Sequence, residues 1–202
     1  MEAFATLRAA GIPIDIPNCD TDQIIPARFL RNLPEEGEYA HFLFHDLRYD
    51  DSGAERPEFI LNHDAFRNGR IVVADVNWGC GSSRENAVDA LLANGIRVVV
   101  APSFGDIHFN NCVNRGVVPV RLPREVCDGL RAQLHAHPGC ELAVDLDAQT
   151  LTEPSGAVHT FEIAAFDRHR LREGLDDVAL TLEYSADIER FEERHSTDYD
   201  WL

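Results

Sequence analysis

The stretch from Arg70 to Ala101, RIVVADVNWGCGSSRENAVDALLANGIRVVVA, decides the fold. Its apolar run Ile71–Ala74 predicts a buried strand, and a glycine-rich turn follows that strand. The apolar spacing from Ser83 to Ala93 is that of a helix, which Asn94-Gly95 ends, and Arg97–Ala101 predicts a second buried strand. A strand, a helix and a strand in this order predict a βαβ unit with parallel strands.

The same alternation continues toward the C-terminus. We predict a helix over Phe104–Val113, a strand over Val117–Leu122 and a helix over Arg124–His135. The period then changes to two in Glu141–Leu146, for which Val158–Ile163 is a hairpin-like partner. The sequence therefore predicts an α/β fold with a parallel βαβ core and a small antiparallel element.

The two ends of the chain differ from this core. Prolines are frequent in the first third of the chain, so we expect this segment to be irregular and to wrap around the core without forming one of its layers. Two peripheral helices, Ala165–Glu173 and Ala186–His195, are predicted near the C-terminus, and residues 196–202 are expected to be loose. Because a length of 202 residues suits one substantial core, residues 1–202 are expected to form a single domain.

Charge and composition exclude several classes of partner. The formal net charge is −17, from 35 acidic residues against 18 Lys and Arg, so nucleic acid and anionic membrane surfaces would be repelled. No apolar run approaches the ~18 residues that are needed to cross a bilayer. The five cysteines are scattered and contain no C-x-x-C pair. We therefore expect reduced thiols, a cytoplasmic location and no metal on this chain.

The glycine-rich turn has two interpretations. Ser82-Ser83-Arg84-Glu85 fits the S-x-x-E capping box, which marks the beginning of a helix and needs no chemistry. Alternatively, Gly79 and Gly81 let the backbone bend closely after a strand, the helix start offers free amides, and Arg84 adds a fork suited to a carboxylate. Because ligands favour the carboxyl ends of parallel strands, the turn is a candidate anion site.

Three other groups of polar residues are also open to two interpretations. Asp20-Thr21-Asp22 is typical of a turn or an Asx cap, but its carboxylates also suit a hydroxyl or an arginine. Arg28 and Arg31 are spaced so that a loop can turn them toward an anion, although solvated surface arginines are the default. The cluster of His41, His45 and Asp46 has side chains that suit a metal, but its two histidines lack an H-E-x-x-H context, which favours packing over metal binding.

Four ordered motifs carry a resemblance to a known family. They are Asn18-Cys19-Asp20-Thr21-Asp22-Gln23-Ile24-Ile25-Pro26, Gly81-Ser82-Ser83-Arg84-Glu85, Ala101-Pro102-Ser103-Phe104-Gly105-Asp106-Ile107 and Gly174-Leu175-Asp176-Asp177-Val178-Ala179-Leu180-Thr181-Leu182. From about Met1 to about Phe191, the chain resembles the small subunits of the 3-isopropylmalate dehydratase family, which form the swivel domain of the aconitase superfamily.

The resemblance implies a two-subunit hydro-lyase. A separate large subunit would carry a four-iron four-sulfur cluster, and the small subunit would close over a small hydroxy-dicarboxylate substrate. The implied reaction converts 2-isopropylmalate to 3-isopropylmalate by way of 2-isopropylmaleate, within leucine biosynthesis. No cofactor is expected on this chain itself.

The resemblance also implies roles for single residues. Ser82 matches the serine that removes the proton next to a carboxylate, and Asp22 matches an active-site aspartate. Arg84 matches an arginine that clamps a substrate carboxylate, with Ser83 beside it in the binding turn. The residues that would support the turn are Gly79, Gly81 and Glu85.

Substrate selection depends on one loop and on one departure from the family pattern. The loop from Arg28 to Asn32, which includes Arg31, resembles the segment that selects the side group of the substrate. Where the family usually has histidine after Gly-Ser-Ser-Arg-Glu, this chain has Asn86, which keeps hydrogen bonding but has no titratable ring. Two alternatives stay open. One is the small subunit of a related dehydratase for another hydroxy-diacid of the methylmalate or citraconate, dimethylmalate or maleate type; the other is a non-catalytic carboxylate-binding or interaction module.

Overall fold

A mixed sheet forms the centre of the protein. The structure is a computed structural model and describes residues 1–30, 39–82 and 84–199. The strands are β1 (Thr6–Ile14), β2 (Ile71–Ala74), β3 (Val98–Ala101), β4 (Val118–Arg121), β5 (Glu141–Asp145), β6 (Thr150–Thr152) and β7 (Val158–Thr160). Within the described ranges they form one seven-stranded sheet in the order β4-β3-β2-β1-β5-β6-β7. Pairing is parallel from β4 to β1 and antiparallel from β1 to β7.

Helices lie along the chain between and after these strands. The short ones are α1 (Thr21–Ile24), α2 (Tyr39–Phe42), α3 (His45–Arg48) and α4 (Asp64–Arg67), with 3-10 turns at Ala27–Leu30 and Ile60–Asn62. The others are α5 (Glu85–Ala93), α6 (Asp106–Arg115), α7 (Arg124–Ala136), α8 (Ala165–Glu173), α9 (Asp177–Leu182) and α10 (Ser185–Asp198). Among the residues described, no helix has both the length and the apolar composition to span a membrane.

The two inner parallel strands, β2 and β3, are buried on both faces. Every residue of β2 and β3 is buried, and alternate side chains of β2 enter opposite apolar cores. Ile71 and Val73 belong to the core that α7 covers, whereas Val72 and Ala74 belong to the core that α1 and α5 cover. The predicted α/β fold with a parallel βαβ core is confirmed, because β2, α5 and β3 follow one another as expected.

The expectation that the first third only wraps around the core is wrong, since β1 lies at the centre of the sheet. β1 pairs with β2 over Gly11–Ile14 and with β5 over Thr6–Ala10. The Gly11 N–H donates to Cys140 O on the β5 side of the strand. The backbone nitrogen of Pro13, two residues later, points to the same side. Because the ladder with β5 has ended there, the missing donor of proline costs no ladder bond.

The antiparallel element has one strand more than predicted. The predicted pairing of Glu141–Leu146 with Val158–Ile163 is wrong, because β6 lies between β5 and β7 and pairs with both. β6 has three residues, which is too short for a period of two to stand out in the sequence.

The C-terminal helices extend the prediction. α8 has the predicted bounds, and α9, with six residues, is too short for periodicity to predict. α10 runs to Asp198, so the expectation of a loose tail over residues 196–202 is wrong for its first three residues. There the hydroxyls of Ser196 and Thr197 donate to carbonyls one turn earlier. Residues 200–202 lie outside the described residues.

Candidate active site

Two segments run side by side at the carboxyl edge of the parallel strands. We call residues 15–22, which follow β1, the first arm, and residues 75–82, which follow β2, the second arm. Three backbone bonds join them: from Asn18 N–H to Val76 O (2.9 Å), from Gly79 N–H to Cys19 O (2.7 Å) and from Thr21 N–H to Cys80 O (3.2 Å). The two arms are therefore fixed against each other along their length.

The loop that follows β3 supports the second arm. The Trp78 N–H donates to Ser103 O at 3.0 Å, and the Gly105 N–H donates back to Trp78 O at 2.8 Å. The Asn77 N–H donates to Ser103 Oγ at 2.8 Å. The ends of three neighbouring parallel strands thus build one surface, which is where open α/β sheets bind ligands.

An ion pair on this surface joins Asp22 to Arg84, 62 positions apart. Arg84 Nη2 donates to Asp22 Oδ2 at 2.9 Å, and Nη1 donates to Oδ1. The hydrogen bonds from Arg84 hold the pKa of the Asp22 carboxyl below its usual range, so Asp22 is ionised at neutral pH. Both interpretations of this motif therefore apply, because Asp22 holds an arginine while Asp20 caps α1 by accepting from the Gln23 N–H.

Ser82 is exposed at the end of the second arm. Gly79 and Gly81 have φ values of +68° and +82°, so two left-handed residues turn the chain just before Ser82. The carbonyl of Ser82 accepts a hydrogen bond from the Thr21 hydroxyl of the first arm. The first arm thereby holds the backbone of Ser82 while its side chain stays open to solvent.

The predicted capping box at Ser82-Ser83-Arg84-Glu85 is wrong, and so is the helix start at Ser83. α5 begins at Glu85, and its N-cap is Arg84, whose backbone is extended and whose side chain makes no capping bond. Arg84 instead reaches Asp22 on the first arm, and Glu85 lies 3.7 Å from Arg115 on α6. Contacts distant in sequence have replaced the local cap. Ser83 itself lies outside the described residues.

A histidine that the sequence did not single out packs against the second arm. His108 on α6 is 1% exposed, and a Cβ built on Gly79 would lie 2.2 Å from His108 Cγ. In the part of the chain that the structure describes, neither ring nitrogen of His108 has a hydrogen-bond partner. Burial lowers the pKa of His108 to about 4, so the ring is neutral at neutral pH. In the sequence, only its position between the apolar residues Ile107 and Phe109 indicates that His108 is buried.

Gly79→Ala is expected to destabilise the chain by about 2 to 4 kcal/mol, because an L-residue is strained at this φ and its Cβ would overlap the His108 ring. Gly53→Ala is the matched control, since Gly53 has φ +81° but no atom within 4 Å of an added Cβ. Urea unfolding of both variants measures the difference. Equal losses would show that the contact with His108 does not matter.

Acidification is expected to weaken the fold through His108. The pKa of this histidine falls from 6.5 to about 4 on folding, so between these values the unfolded chain binds a proton that the folded chain does not. The contribution of the neutral His108 ring to the free energy of unfolding is fully present above pH 6.5. It decreases as the pH drops, by about 2 kcal/mol between pH 7 and pH 5. We expect His108→Phe to lose less stability over this interval, as urea unfolding at both pH values will measure. The exposed control His137→Gln should behave as the parent chain does; a loss in His108→Phe equal to the parent's contradicts the prediction.

Asn86 has a structural partner in this chain. Its Nδ2 donates to the Tyr39 hydroxyl at 2.7 Å. Tyr39 begins α2, which packs on α5, and Phe42 at the end of α2 stacks on Phe29 with ring centroids 4.2 Å apart. Asn86 thus ties the beginning of α5, next to Arg84, to the helix that borders the Phe29 turn.

The Arg28 side chain pairs with a carboxylate of α3. Its guanidinium donates to Asp46 at 2.8 Å and lies 4.6 Å from the centre of the Phe29 ring. The predicted role of Arg28 toward a substrate anion stays a prediction. Arg31 and Asn32, which belong to the same predicted loop, lie outside the described residues.

The cysteines are mostly buried thiols. Burial raises the pKa of Cys19 and of Cys127 to about 12, so both stay protonated at neutral pH. Cys80 is half-buried on the second arm, and its thiol donates to Asn18 O at 3.3 Å. Among the described residues, no group of three or more His, Cys, Asp or Glu side chains is arranged to hold a metal ion.

Comparisons with known proteins give consistent results. Residues 1–125 match the family model of the aconitase C-terminal domain, and residues 128–165 match that of LeuD_N. Residues 177–202 match the model of the C-terminal domain of 3-isopropylmalate dehydratase small subunits. A 3-isopropylmalate dehydratase small subunit from Rhodospirillum centenum is 47% identical over 100% of this chain and 98% of its own length. Another, from Dinoroseobacter shibae, is 43% identical over the whole of both chains.

A solved structure shares the fold. The crystal structure of a 3-isopropylmalate dehydratase from Methanocaldococcus jannaschii superposes with a TM-score of 0.68 at 24% identity, covering 92% of this chain and 99% of that chain. Identity at this level supports the fold alone, whereas the full-length relatives and the matched models support the family. The chain therefore belongs to the family of 3-isopropylmalate dehydratase small subunits, and its larger part is an aconitase C-terminal domain.

Proposed function

We propose that this chain is the small subunit of a 3-isopropylmalate dehydratase, a hydro-lyase of leucine biosynthesis. One observation carries the proposal: the chain is 47% identical, over its full length, to a small subunit of that name. The reaction converts 2-isopropylmalate to 3-isopropylmalate by way of 2-isopropylmaleate. The relatives do not favour a related dehydratase for another hydroxy-diacid. Asn86 has a structural role in this chain, because its amide donates to the Tyr39 hydroxyl.

Ser82 is the proposed base that removes the proton next to a substrate carboxylate. A serine hydroxyl is a weak base, so its alkoxide needs positive charge and backbone donors near it. α5 begins three residues after Ser82 and directs the positive end of its dipole toward this end of the sheet. Arg84, the N-cap residue of α5, is paired with Asp22, so the helix start is the main source of positive potential at Ser82.

Arg84 is the proposed partner of a substrate carboxylate. Asp22 occupies both Nη atoms, but a guanidinium carries a further donor at Nε. A substrate carboxylate that approaches Nε and the adjacent Nη atom can accept two hydrogen bonds there, while Asp22 continues to hold the guanidinium in place. Asp22 is therefore proposed to orient Arg84 and to contribute its own carboxylate to the active site.

The partner is proposed to be a large subunit with a four-iron four-sulfur cluster. When bound there, the cluster supplies a Lewis acid for the hydroxyl and a carboxylate of the substrate. Burial keeps the thiols of Cys19 and Cys127 protonated, and a protonated thiol is a poor ligand for iron. A cytoplasmic location stays a prediction from the scattered cysteines.

Reconstitution tests this function. We expect no turnover by the chain alone, and turnover after anaerobic mixing with a cysteine-bearing large subunit, with the highest kcat/KM on 2-isopropylmalate. A clear preference for citraconate or dimethylmalate would establish the related dehydratase instead. Substrate binding by the isolated chain without turnover on adding the large subunit would establish a non-catalytic module.

A further inference from the structure

Arg131 on α7 contacts both arms at the points where they leave the sheet. The residue is 7% exposed. Its Nε donates to Asp15 Oδ1 at 2.7 Å and its Nη1 donates to Ala74 O at 2.8 Å. Its Nη2 lies 3.4 Å from Asp75 Oδ2. One buried side chain therefore contacts the first residue of each arm and the last residue of β2.

These contacts lie at the roots of the segments that carry the proposed catalytic groups. The first arm begins at Asp15 and ends at Asp22, and the second arm begins at Asp75 and ends at Ser82. Asp75 also accepts from the Val76 N–H at 2.6 Å, so its carboxylate holds its own arm as well as Arg131. A shift of Arg131 would displace both arms together.

The charges around Arg131 make this contact difficult to replace. Three carboxylates surround the guanidinium, and the Asp75 side chain is only 12% exposed. A buried carboxylate needs a compensating charge, and the planar fork of arginine can donate in several directions at once. Asp128, one turn earlier on α7, accepts from Nη2 at 2.7 Å and belongs to neither arm.

We propose that Arg131 is a positioning residue of the active site. By fixing the roots of both arms, it sets the placement of Ser82 relative to Asp22 and Arg84. The inference rests on the proposed function of these three residues and adds to it a residue of α7, which approaches the site from the other face of the sheet.

Two partners of Arg131 provide a matched test. The side chains of Asp15 and Asp128 are 52% and 47% exposed, and each accepts one hydrogen bond of 2.7 Å from Arg131. Each also has one further partner, which is His135 for Asp15 and Arg124 for Asp128. In the enzyme assembled with its large subunit, Asp15→Ala is expected to lower kcat about tenfold or more, because small misplacements of catalytic groups are costly. Asp128→Ala is expected to keep the parent kcat. Equal kcat values in the two variants overturn the proposal.

Variants of Arg131 itself add a measurement that needs no turnover. The arms carry Cys19 and Cys80, while Cys112 is buried on α6. Arg131→Met is expected to speed iodoacetamide labelling of Cys19 and Cys80 relative to Cys112, as measured by peptide mass spectrometry. Arg131→Lys should restore part of the protection and part of kcat, because it keeps the charge and loses the fork.

The outcomes separate this inference from the proposed function. If the parent pair shows no hydro-lyase turnover, the proposed function fails, and the labelling still reports whether Arg131 fixes the arms. If Arg131→Met labels Cys112 as readily as the arm cysteines, the variant has loosened the whole chain and the positioning role is overturned. Arg124→Met is the control on the same helix, since Arg124 is 61% exposed and pairs with Asp128.

Discussion

Ser82→Ala is expected to lower kcat of the assembled enzyme by roughly 10²- to 10⁴-fold, the range of a lost general base. The substitution removes the only group of Ser82 that can take the substrate proton. The bond from the Thr21 hydroxyl to the Ser82 carbonyl does not involve the side chain, so the second arm should keep its course. Because Ser82 is exposed, the free energy of unfolding should change by no more than about 0.5 kcal/mol. Steady-state kinetics and urea unfolding measure the two effects separately.

The control for this experiment is another exposed serine. Ser196 lies on α10, where its hydroxyl donates to Glu192 O at 2.8 Å, far along the chain from both arms. Ser196→Ala is expected to leave kcat unchanged. Retention of full activity by Ser82→Ala would remove Ser82 as the base and would leave the second arm with a binding role only.

Arg84→Met is expected to lower kcat/KM by roughly 10- to 100-fold, mainly through a higher KM. A hydrogen bond to a charged group contributes about 1.5 to 3 kcal/mol, and the substrate carboxylate loses its partner in this variant. Asp22 loses its partner as well, and its negative charge then faces an anionic substrate. Arg84→Lys should fall between the parent and Arg84→Met, because it keeps the charge without the fork.

Kinetics on the assembled enzyme test this prediction. Arg8→Met is a suitable control, because Arg8 is 74% exposed and makes an ion pair with Glu141 outside both arms. We expect Arg8→Met to match the parent in KM. An unchanged KM in Arg84→Met would place the substrate carboxylate elsewhere in the site.

The core of the fold was predictable because its signals are local. The strands β2 and β3 are continuous apolar runs, and α5 has helical spacing that ends at Asn94. The sequence does not predict β1, because Gly11 and Pro13 are typical of turns. Pro13 fits in this strand because the pairing of β1 with β5 ends at Ala10, before the proline. The capping box is wrong for a related reason, since the Ser82 backbone is held by Thr21 and the Glu85 carboxylate lies near Arg115, both distant in sequence.

The sequence by itself determined the α/β class and the βαβ unit, and it predicted a candidate anion site at the turn from Gly79 to Arg84. These conclusions depend on burial and backbone geometry within about ten residues, and the spacing of apolar residues in the sequence indicates both. Only the tertiary structure decided that Arg84 meets Asp22, that His108 fills the space against Gly79 and that Arg131 holds the roots of both arms. Each of these contacts joins separate parts of the chain. They follow from the order of the strands in the sheet, which sequence periodicity does not specify.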